Sequence, residues 1–291
     1  MTDGRTENVR LMRCKGEYLA HSYLNDLAGK AGIVIDGRGN TVESCEFAYS
    51  STAVLQAKGS DHRIVNNYLH DGNYGGKWTG AVALSGRRIL FSHNTVRHSG
   101  RDLVSVHKLM ESLVQYNDLS EAGWLTCDLG MTYGHDTDFM NTVFRFNRVH
   151  DNRAKGCSMG IYFDHCSHNV IVCNNLIYNT GDSPIRVNNP SYFDLLYNNS
   201  CWKTGEVSTF DHSHRQDVFG MRIVNNIFNR PPKMPEHTVL KDNIVSDGSC
   251  YANPAKGDFT LKLESPAKGT ASIIAGVTGT SCKPDIGAFQ G

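Results

Sequence analysis

The sequence predicts an all-β protein of one domain, folded as a parallel β-helix of about ten stacked coils. Two observations predict this fold: a short apolar stretch followed by Asn recurs along most of the chain, and the recurrences lie about 26 residues apart. A repeat of roughly 20 to 50 residues built from short strands indicates a solenoid. Leucine-rich repeats have a similar length, but the chain lacks their regular leucines and any helical half.

The repeated Asn marks the same turn in successive coils. From Asn67 to Asn226 the chain covers 159 residues in six steps. Turn Asn residues at equal positions stack, so we expect their side-chain amides to hydrogen-bond from coil to coil. The repeated residues are Asn67, Asn94, Asn117, Asn147, Asn175, Asn199, Asn226 and Asn243.

Cysteine takes the place of this Asn at the beginning of the chain. Cys45 occupies the position in one coil, and Cys14 occupies it one coil earlier. A stack of buried thiols and a Cys14–Cys45 disulfide both fit this spacing. The nine cysteines include no Cys-x-x-Cys pair, which argues against a zinc ribbon or a thioredoxin-like site.

The solenoid is predicted to occupy residues 1–250, and residues 251–291 are predicted to form a C-terminal cap packed on it. The cap contains Asp258-Phe-Thr-Leu-Lys-Leu and the closing Pro284-Asp-Ile-Gly-Ala-Phe. A solenoid end exposes unpaired strand edges and needs such a cover.

Composition excludes two classes of partner. With 29 basic and 29 acidic residues the formal net charge is zero, so the chain lacks the basic excess that nucleic acid or an anionic membrane requires. No apolar stretch reaches the roughly 18 residues of a membrane span, and the N-terminus has no signal-peptide pattern. We expect a soluble protein without a nucleic-acid or membrane partner.

A second strand follows each Asn and its loop, and these strands are expected to form the working face. They are residues 81–85, 103–107, 129–133, 161–165, 185–189 and 208–212. Because side chains alternate along a strand, the first and third positions, such as Ala83 and Ser105, are predicted to fill the core. The other positions, such as Thr132 and Asp164, are predicted to face outward.

Residues able to do chemistry collect on the outward positions of the middle coils. The longest loops, after Asn117 and Asn147, project beside them, and loops on a rigid scaffold are where binding residues are expected. The predicted catalytic residues are Asp164, Asp138 and Asp128. The predicted substrate-binding residues are Arg186, Tyr133, His165, Asn188, His107, Tyr162, Trp124, His135, Asp136, Asp211 and His212.

Three motifs in this region resemble the core of bacterial carbohydrate-active proteins with the pectate-lyase-like, right-handed parallel β-helix fold. They are Asp128-x-Gly-x-x-Tyr133 with Thr137-Asp138, Gly160-Ile-Tyr-Phe-Asp164 with Ser167, and Ile185-Arg186-Val-Asn188 with Pro190-Ser191. The closing Pro-Asp-Ile-Gly-Ala-Phe resembles their C-terminal signature. The resemblance implies a right-handed helix, action on a polysaccharide or oligosaccharide, and an origin in the periplasm or secreted medium. Such proteins include hydrolases and lyases.

The main hypothesis is a glycoside hydrolase with two carboxylates. Glycosidic cleavage needs a protonated acid and an ionised carboxylate, about 5 Å apart for retention and about 6.5–9.5 Å apart for inversion. Asp164 is predicted as one partner and Asp138 or Asp128 as the other. Arg186 and Asn188 are predicted to hold substrate hydroxyls or a uronate carboxylate.

The first alternative is a polysaccharide lyase or uronate epimerase. Both remove the proton next to a uronate carboxyl, so they need a cation to neutralise it and a base. Arg186, Lys108, Tyr133 and His165 provide candidates. No residue is assigned as a metal ligand and no cofactor is expected, although a calcium ion held by Asp136, Asp138 and Asp164 would favour this class.

The second alternative is a solenoid that binds glycans without chemistry. Exposed aromatic residues such as Trp124, Tyr133, Tyr162 and Tyr192 would then stack on sugar rings. In this class, glycan binding is expected to persist when Asp164 and Asp138 are replaced.

Overall fold

The computed structural model describes residues 3–21, 31–208, 218–279 and 282–289. Within these residues the chain consists of short β-strands joined by turns, with a 3₁₀ helix at Pro254–Lys256 near the C-terminus. The all-β class is therefore confirmed. No helix in the described ranges has the length and apolar character needed to cross a membrane.

The strands follow one another in groups of two or three per coil. The first eleven are β1 (Arg10–Met12), β2 (Lys15–Glu17), β3 (Ile33–Ile35), β4 (Thr41–Glu43), β5 (Glu46–Ala48), β6 (Leu55–Ala57), β7 (Arg63–Val65), β8 (Tyr68–Gly72), β9 (Gly80–Arg87), β10 (Leu90–Ser92) and β11 (Thr95–Ser99). The next ten are β12 (Asp102–Met110), β13 (Leu113–Gln115), β14 (Asp118–Ser120), β15 (Leu129–Gly134), β16 (Asp138–Arg145), β17 (Arg148–His150), β18 (Ser158–Phe163), β19 (His168–Cys173), β20 (Leu176–Tyr178) and β21 (Ile185–Val187). The last ten are β22 (Ser191–Tyr192), β23 (Leu195–Tyr197), β24 (Ser200–Trp202), β25 (Val218–Phe219), β26 (Arg222–Val224), β27 (Ile227–Phe228), β28 (Val239–Lys241), β29 (Ile244–Val245), β30 (Tyr251–Asn253) and β31 (Asp258–Leu261).

The strands form three parallel sheets, two of which run the length of the described solenoid. Sheet A has seven strands in the order β3-β6-β9-β12-β15-β18-β21, and sheet B has ten in the order β1-β4-β7-β10-β13-β16-β19-β23-β26-β28. Sheet C has ten in the order β2-β5-β8-β11-β14-β17-β20-β24-β27-β29. Seven coils thus contribute to all three sheets. Strands that are neighbours in a sheet belong to successive coils, which is the connectivity of a parallel β-helix.

The turn from sheet B to sheet C carries the predicted Asn ladder. Each ladder amide donates Nδ2–H to the Oδ1 of the next Asn, at 2.9 Å from Asn67 to Asn94 and 3.0 Å from Asn147 to Asn175. The same Oδ1 also accepts the backbone N–H of the preceding coil's Asn, as at Asn94 and Asn117. The prediction of stacked amides is confirmed from Asn67 to Asn243.

Cys45 and Cys14 continue the ladder toward the N-terminus. The backbone N–H of Cys45 donates to Asn67 Oδ1 at 2.9 Å, and that of Cys14 points at Cys45 Sγ at 3.4 Å. All nine cysteines lie within the described residues and are free thiols. The structure therefore corresponds to the thiol stack rather than to the Cys14–Cys45 disulfide.

The register of sheet A corrects part of the predicted strand alignment. Val104 pairs with Val82 as predicted, but it pairs with Thr132 rather than with Gly130. Thr132 in turn pairs with Ile161 and is buried, so the prediction that Thr132 faces outward is wrong. The loops that precede these strands differ in length, so the first apolar residue of each strand is not a fixed reference point.

The same register places Ala83 and Ser105 in the outward row, and their predicted place in the core is wrong. Val82, Leu84, Val104 and Val106 enter the hydrophobic core instead. A shift of one residue moves each side chain to the other face of a strand, which explains why inward and outward positions were exchanged here. In β18 and β21 the predicted core residues are correct: Ile161, Phe163, Ile185 and Val187 are all buried there.

The described residues after the last coil, 246–279 and 282–289, pack against the C-terminal coils. Phe259 and Ile286 are buried beside Trp202 and Tyr178 of sheet C. The backbone N–H of Gly287 donates to the carbonyl of Asn225 at 2.9 Å. These contacts cover one side of the C-terminal coils.

Candidate active site

The outward row of sheet A contains the polar and aromatic side chains of the site. Its register runs from Ala83 and Ser105 to Tyr133, Tyr162 and Arg186 in successive coils. Adjacent coils lie about 4.8 Å apart, so neighbouring side chains in this row touch. Small residues occupy the first coils and large ones the later coils, which opens a groove beside Tyr133.

Tyr133 and Tyr162 lie beneath this surface, and at 7% and 5% exposed they are buried, so the prediction that they are exposed aromatic residues is wrong. Tyr133 and Tyr162 cluster with Met159, apart from the main core, and the two tyrosine rings meet edge to face with centroids 5.3 Å apart. The ring of His107 lies 5.9 Å from that of Tyr133 on the other side. Tyr162 OH accepts a hydrogen bond from Asn188 Nδ2 at 2.8 Å.

A second row consists of the residues that directly follow the last residue paired in each coil. Val106, Gly134, Phe163 and Val187 are paired across four coils. The residues that follow them are His107, His135, Asp164 and Asn188, which therefore line up beside the tyrosines. The sequence predicted Thr132 next to Asp164, whereas the structure places His135 there.

Asp164 is the centre of the hydrogen-bond network. Its Oδ2 accepts the hydroxyl of Tyr133 at 2.9 Å, and its Oδ1 accepts Asn188 Nδ2 at 2.7 Å and the backbone N–H of His165 at 2.9 Å. His165 Nδ1 also lies 2.9 Å from Oδ1. A carboxylate with this many donors is fixed in position.

The network keeps Asp164 ionised and the tyrosines protonated. Burial raises the pKa of Asp164, but the hydrogen bonds from His165, Asn188 and Tyr133 outweigh it, and the pKa lies below its usual value. Burial, followed by the charge of Asp164, raises the pKa of Tyr133 and of Tyr162. Asp164 is thus an acceptor, and both phenols are donors.

Two arginines border the tyrosines. Arg186, next to Tyr162 in the row, lies 3.3 Å from Asp182 Oδ2 and 3.3 Å from Ser208 Oγ. Arg101 lies 3.8 Å above the ring of Trp78 and 5.2 Å from that of Tyr133. Arg101 is buried, whereas Arg186 is half-buried, so Arg186 is the more accessible of the two cations.

Arg101 and Trp78 are groove residues that the sequence analysis missed. Arg101 is held by buried Asp102 at 2.8 Å and by the carbonyl oxygen of Asp128 at 2.6 Å. Trp78 is 75% exposed, which suits a ring that stacks on a sugar. The sequence contains a signal for this site, because Arg and Asp stand side by side at the start of apolar β12, and charged residues are almost never buried unless they are paired.

The other two predicted catalytic acids are not beside Asp164. Asp128 precedes Leu129, which pairs with Ser158, and Asp164 lies six residues beyond Ser158. At about 3.3 Å per residue, the two acids are attached roughly 20 Å apart along the strands. Asp138 lies in sheet B, where Asn169 Nδ2 donates to its Oδ1 at 2.9 Å.

The remaining predicted residues fall into three groups. His135 and Asp136 are exposed at the turn after β15, and the backbone N–H of Asp136 donates to the carbonyl of His165 at 2.9 Å. Trp124 lines a separate pocket of about 320 Å³ with Tyr49, Asp71 and His98. Asp211 and His212 lie outside the described residues.

One cluster of potential metal ligands stands out in the described part of the chain. His135, Asp164 and His165 each offer a ligand atom, and these atoms lie within 4.8 Å of one another. Asp136 and Asp138 are not part of it, so the structure does not assemble the three carboxylates considered for calcium.

Solved structures share the architecture. Pectate lyase Pel9A superposes with a TM-score of 0.60 at 10% identity, over 97% of this chain and 86% of that one. The PL6 family polysaccharide lyase Pedsa3628 from Pseudopedobacter saltans superposes with a TM-score of 0.50 at 14% identity, over 88% of this chain and 73% of that one. At these identities the likeness shows the fold. A search of the curated proteins gives no match.

A family model agrees with the coil geometry. The model described as "Right handed beta helix region" matches residues 14–189, which is more than half of the 291 residues. The match covers the sheet A strands from β3 to β21 and the groove on them. With its three parallel sheets, its Asn ladder and this match, the chain belongs to the right-handed β-helix family.

Proposed function

We propose that the protein is a carbohydrate-active enzyme that cleaves a uronate-bearing polysaccharide by β-elimination. The observation that carries the proposal is the state of Asp164, an ionised carboxylate bonded to a protonated Tyr133 with no second predicted acid within reach. This arrangement favours the lyase hypothesis over the hydrolase hypothesis. The two polysaccharide lyases that share the fold support the same choice.

The geometry supports the hydrolase hypothesis less well. Asp164, whose pKa is lowered, would be the ionised partner of the pair, so the protonated acid would have to be another carboxyl group. The two carboxyl groups should lie within about 9.5 Å, but Asp128 is attached roughly 20 Å away along the strands, and Asp138 lies on sheet B.

β-Elimination needs a cation, a base and an acid, and the outward rows offer a candidate for each. Lys108, exposed next to His107, neutralises the uronate carboxylate, which makes the neighbouring C5 proton more acidic. Arg186 lies three coils from His107, roughly 14 Å away, and would bind a neighbouring sugar. His107, exposed beside Tyr133, takes that proton as a neutral imidazole. Tyr133 donates its phenolic proton to the departing glycosidic oxygen, and the C5 electron pair forms the C4–C5 double bond as the C4–O bond breaks.

A two-signal assay tests the reaction class. The protein is incubated with neutral and uronate-bearing polysaccharides while reducing ends and the ultraviolet absorbance of unsaturated uronate are followed together. We expect both signals to rise on a uronate-bearing polymer and neither to rise on a neutral one. New reducing ends without absorbance would instead establish a hydrolase, and uronate inversion without cleavage would establish an epimerase.

Variants test the assigned residues. H107A is expected to lower kcat/KM by about 10²–10⁴-fold, the usual range for a positioned acid or base. D164N is expected to lower it as well, because Asp164 accepts the hydroxyl of Tyr133 and positions it. H93Q, on an exposed turn of sheet B, is the control and should retain full activity. Full activity of D164N with an intact fold would remove Asp164 from the mechanism.

A further inference from the structure

We propose that His135, Asp164 and His165 bind one divalent transition-metal ion of the zinc class. The site belongs to the solenoid itself, since its ligands come from the turns of two successive coils. Binding of the ion does not depend on the reaction proposed above, whereas a role for the ion in catalysis rests on that proposed function.

Coil stacking brings the three ligands together. Gly134 pairs with Phe163, so His135 lies directly beside Asp164, and His165 follows on the same turn. The two imidazole centroids are 6.2 Å apart and tilted at 68°. All three ligand atoms lie within 4.8 Å of one another. Small side-chain rotations bring them onto one ion.

The chemistry of the donors selects the class of ion. Two imidazoles and one carboxylate are the protein ligands of open zinc sites, which leave a fourth position for water or substrate. Calcium and magnesium prefer six or more oxygen ligands, which this cluster does not provide. Imidazole suits zinc, copper, nickel and iron, so the set favours a borderline ion.

Two of the three ligands already approach each other closely. His165 Nδ1 and Asp164 Oδ1 are 2.9 Å apart. Each ligand atom would lie about 2.0–2.2 Å from a bound zinc ion, so a small separation of the two side chains admits the ion between them.

Neighbouring groups already orient the carboxylate. Tyr133 OH and Asn188 Nδ2 donate to Asp164 at 2.9 and 2.7 Å, which leaves Asp164 one preferred orientation. Outer hydrogen bonds of this kind strengthen metal sites. His135 is exposed, so an ion has access from solvent. On the proposed function, the ion would add positive charge beside Tyr133, where a uronate carboxylate is to be neutralised.

Cobalt and zinc titrations test the site without any polysaccharide. The full chain, stripped with chelator, is titrated with Co²⁺ and followed by visible absorption, then with Zn²⁺ by calorimetry. We expect one ion per chain and the intense visible bands of low-coordinate Co²⁺. H135A and H165A should each weaken Zn²⁺ binding by roughly 100-fold or more, since even outer-shell changes cost about 10–100-fold.

The control separates this site from other histidines. H93Q removes an exposed imidazole on another face and should bind Zn²⁺ as the wild type does. Wild-type protein that binds no Zn²⁺, or H135A and H165A proteins that bind it unchanged, would overturn the proposal. If chelator leaves lyase activity unaltered, the proposed reaction is supported and the ion takes no part in it. A chain that binds Zn²⁺ and cleaves nothing would refute the proposed function alone.

Discussion

Asp194 is a carboxylic acid enclosed by the solenoid. Its Oδ1 accepts the backbone N–H of Val170 at 3.2 Å, and its Oδ2 lies against Ser191 Oγ. The same Ser191 hydroxyl also contacts the carbonyl of Ser167, and one hydroxyl hydrogen cannot serve both acceptors. A protonated Asp194 that donates to Ser191 satisfies every group.

The pKa of Asp194 makes folding depend on pH. Burial raises it to about 7, against the lowering effect of the bonds from Ser191 and Val170. In the unfolded chain the pKa is about 3.9. Between these values the folded state holds a proton that the unfolded state has lost. The free energy of unfolding therefore falls by about 1.4 kcal/mol per pH unit as pH rises from about 4 to about 7.

Replacing Asp194 with Asn should remove this fall. D194N keeps the acceptor for Val170 and a donor for Ser191, but it does not ionise. We expect its stability relative to wild type to increase by roughly 3 kcal/mol between pH 5 and pH 8, measured by urea unfolding. D247N, at an exposed aspartate, should track the wild type across this range. Parallel curves for D194N and wild type would show that Asp194 is ionised throughout.

The Asn ladder is the element that joins the coils. In each turn from sheet B to sheet C a left-handed residue precedes the ladder position, as Phe146 with φ 53° precedes Asn147. The left-handed residue reverses the chain within two positions and directs the following amide inward. Left-handed backbone favours Asn, which explains Asn66 and Asn174, and Phe146 takes it at a cost.

Replacing one ladder residue tests how much the stack contributes. Asn147 Oδ1 accepts the backbone and side-chain N–H of Asn117 at 3.1 and 2.9 Å, and its Nδ2 donates to the carbonyl of Val114 and to Asn175 Oδ1. N147A leaves these buried groups without partners, at about 1–3 kcal/mol each. We expect the free energy of unfolding to fall by about 3 kcal/mol or more in chemical denaturation.

Gln115 offers the matched control. Its side chain is half-buried on sheet B and accepts one hydrogen bond, from Arg145 Nε at 2.9 Å. Q115A should therefore cost no more than about 1 kcal/mol. Equal losses for N147A and Q115A would mean that water replaces the ladder bonds.

The whole molecule is a quasi-linear stack, so its ends differ from its middle. In a solenoid each coil contacts its neighbours, and stability is approximately a sum of local terms. At the C-terminal end, Phe259 is buried against Tyr178 and Trp202 of sheet C. The C-terminal segment thereby covers the outer face of sheet C over β20, β24 and β27, where Ile227 belongs to the same cluster.

Removing this contact should loosen one end selectively. F259A is expected to cost about 3–5 kcal/mol, the range for a buried Phe replaced by Ala. Hydrogen exchange should quicken in β20, β24 and β27, which the cluster around Phe259 covers, and remain slow in β7–β11. L263A changes a side chain that is 92% exposed and should leave exchange unchanged. Faster exchange throughout the chain in F259A would show that the solenoid unfolds as one unit.

The repeat pattern was enough to predict the fold and the ladder, because stacked side chains require the same residue at the same place in each coil. Asn67, Asn147 and Asn226 are visible in the sequence for that reason. Asp164 was also recognisable, since it follows a strand whose apolar residues Ile161 and Phe163 alternate with polar ones. These features depend on local spacing, which a sequence contains.

Register across coils was decided by the tertiary structure. Loops of unequal length separate β12, β15 and β18, so the pairing of Val104 with Thr132 and of Thr132 with Ile161 depends on how those loops pack. That pairing placed His135 beside Asp164, brought Arg101 to Trp78 and Tyr133, and attached Asp128 and Asp138 away from Asp164. Sequence spacing thus determined the solenoid, whereas coil packing determined which side chains meet in its groove.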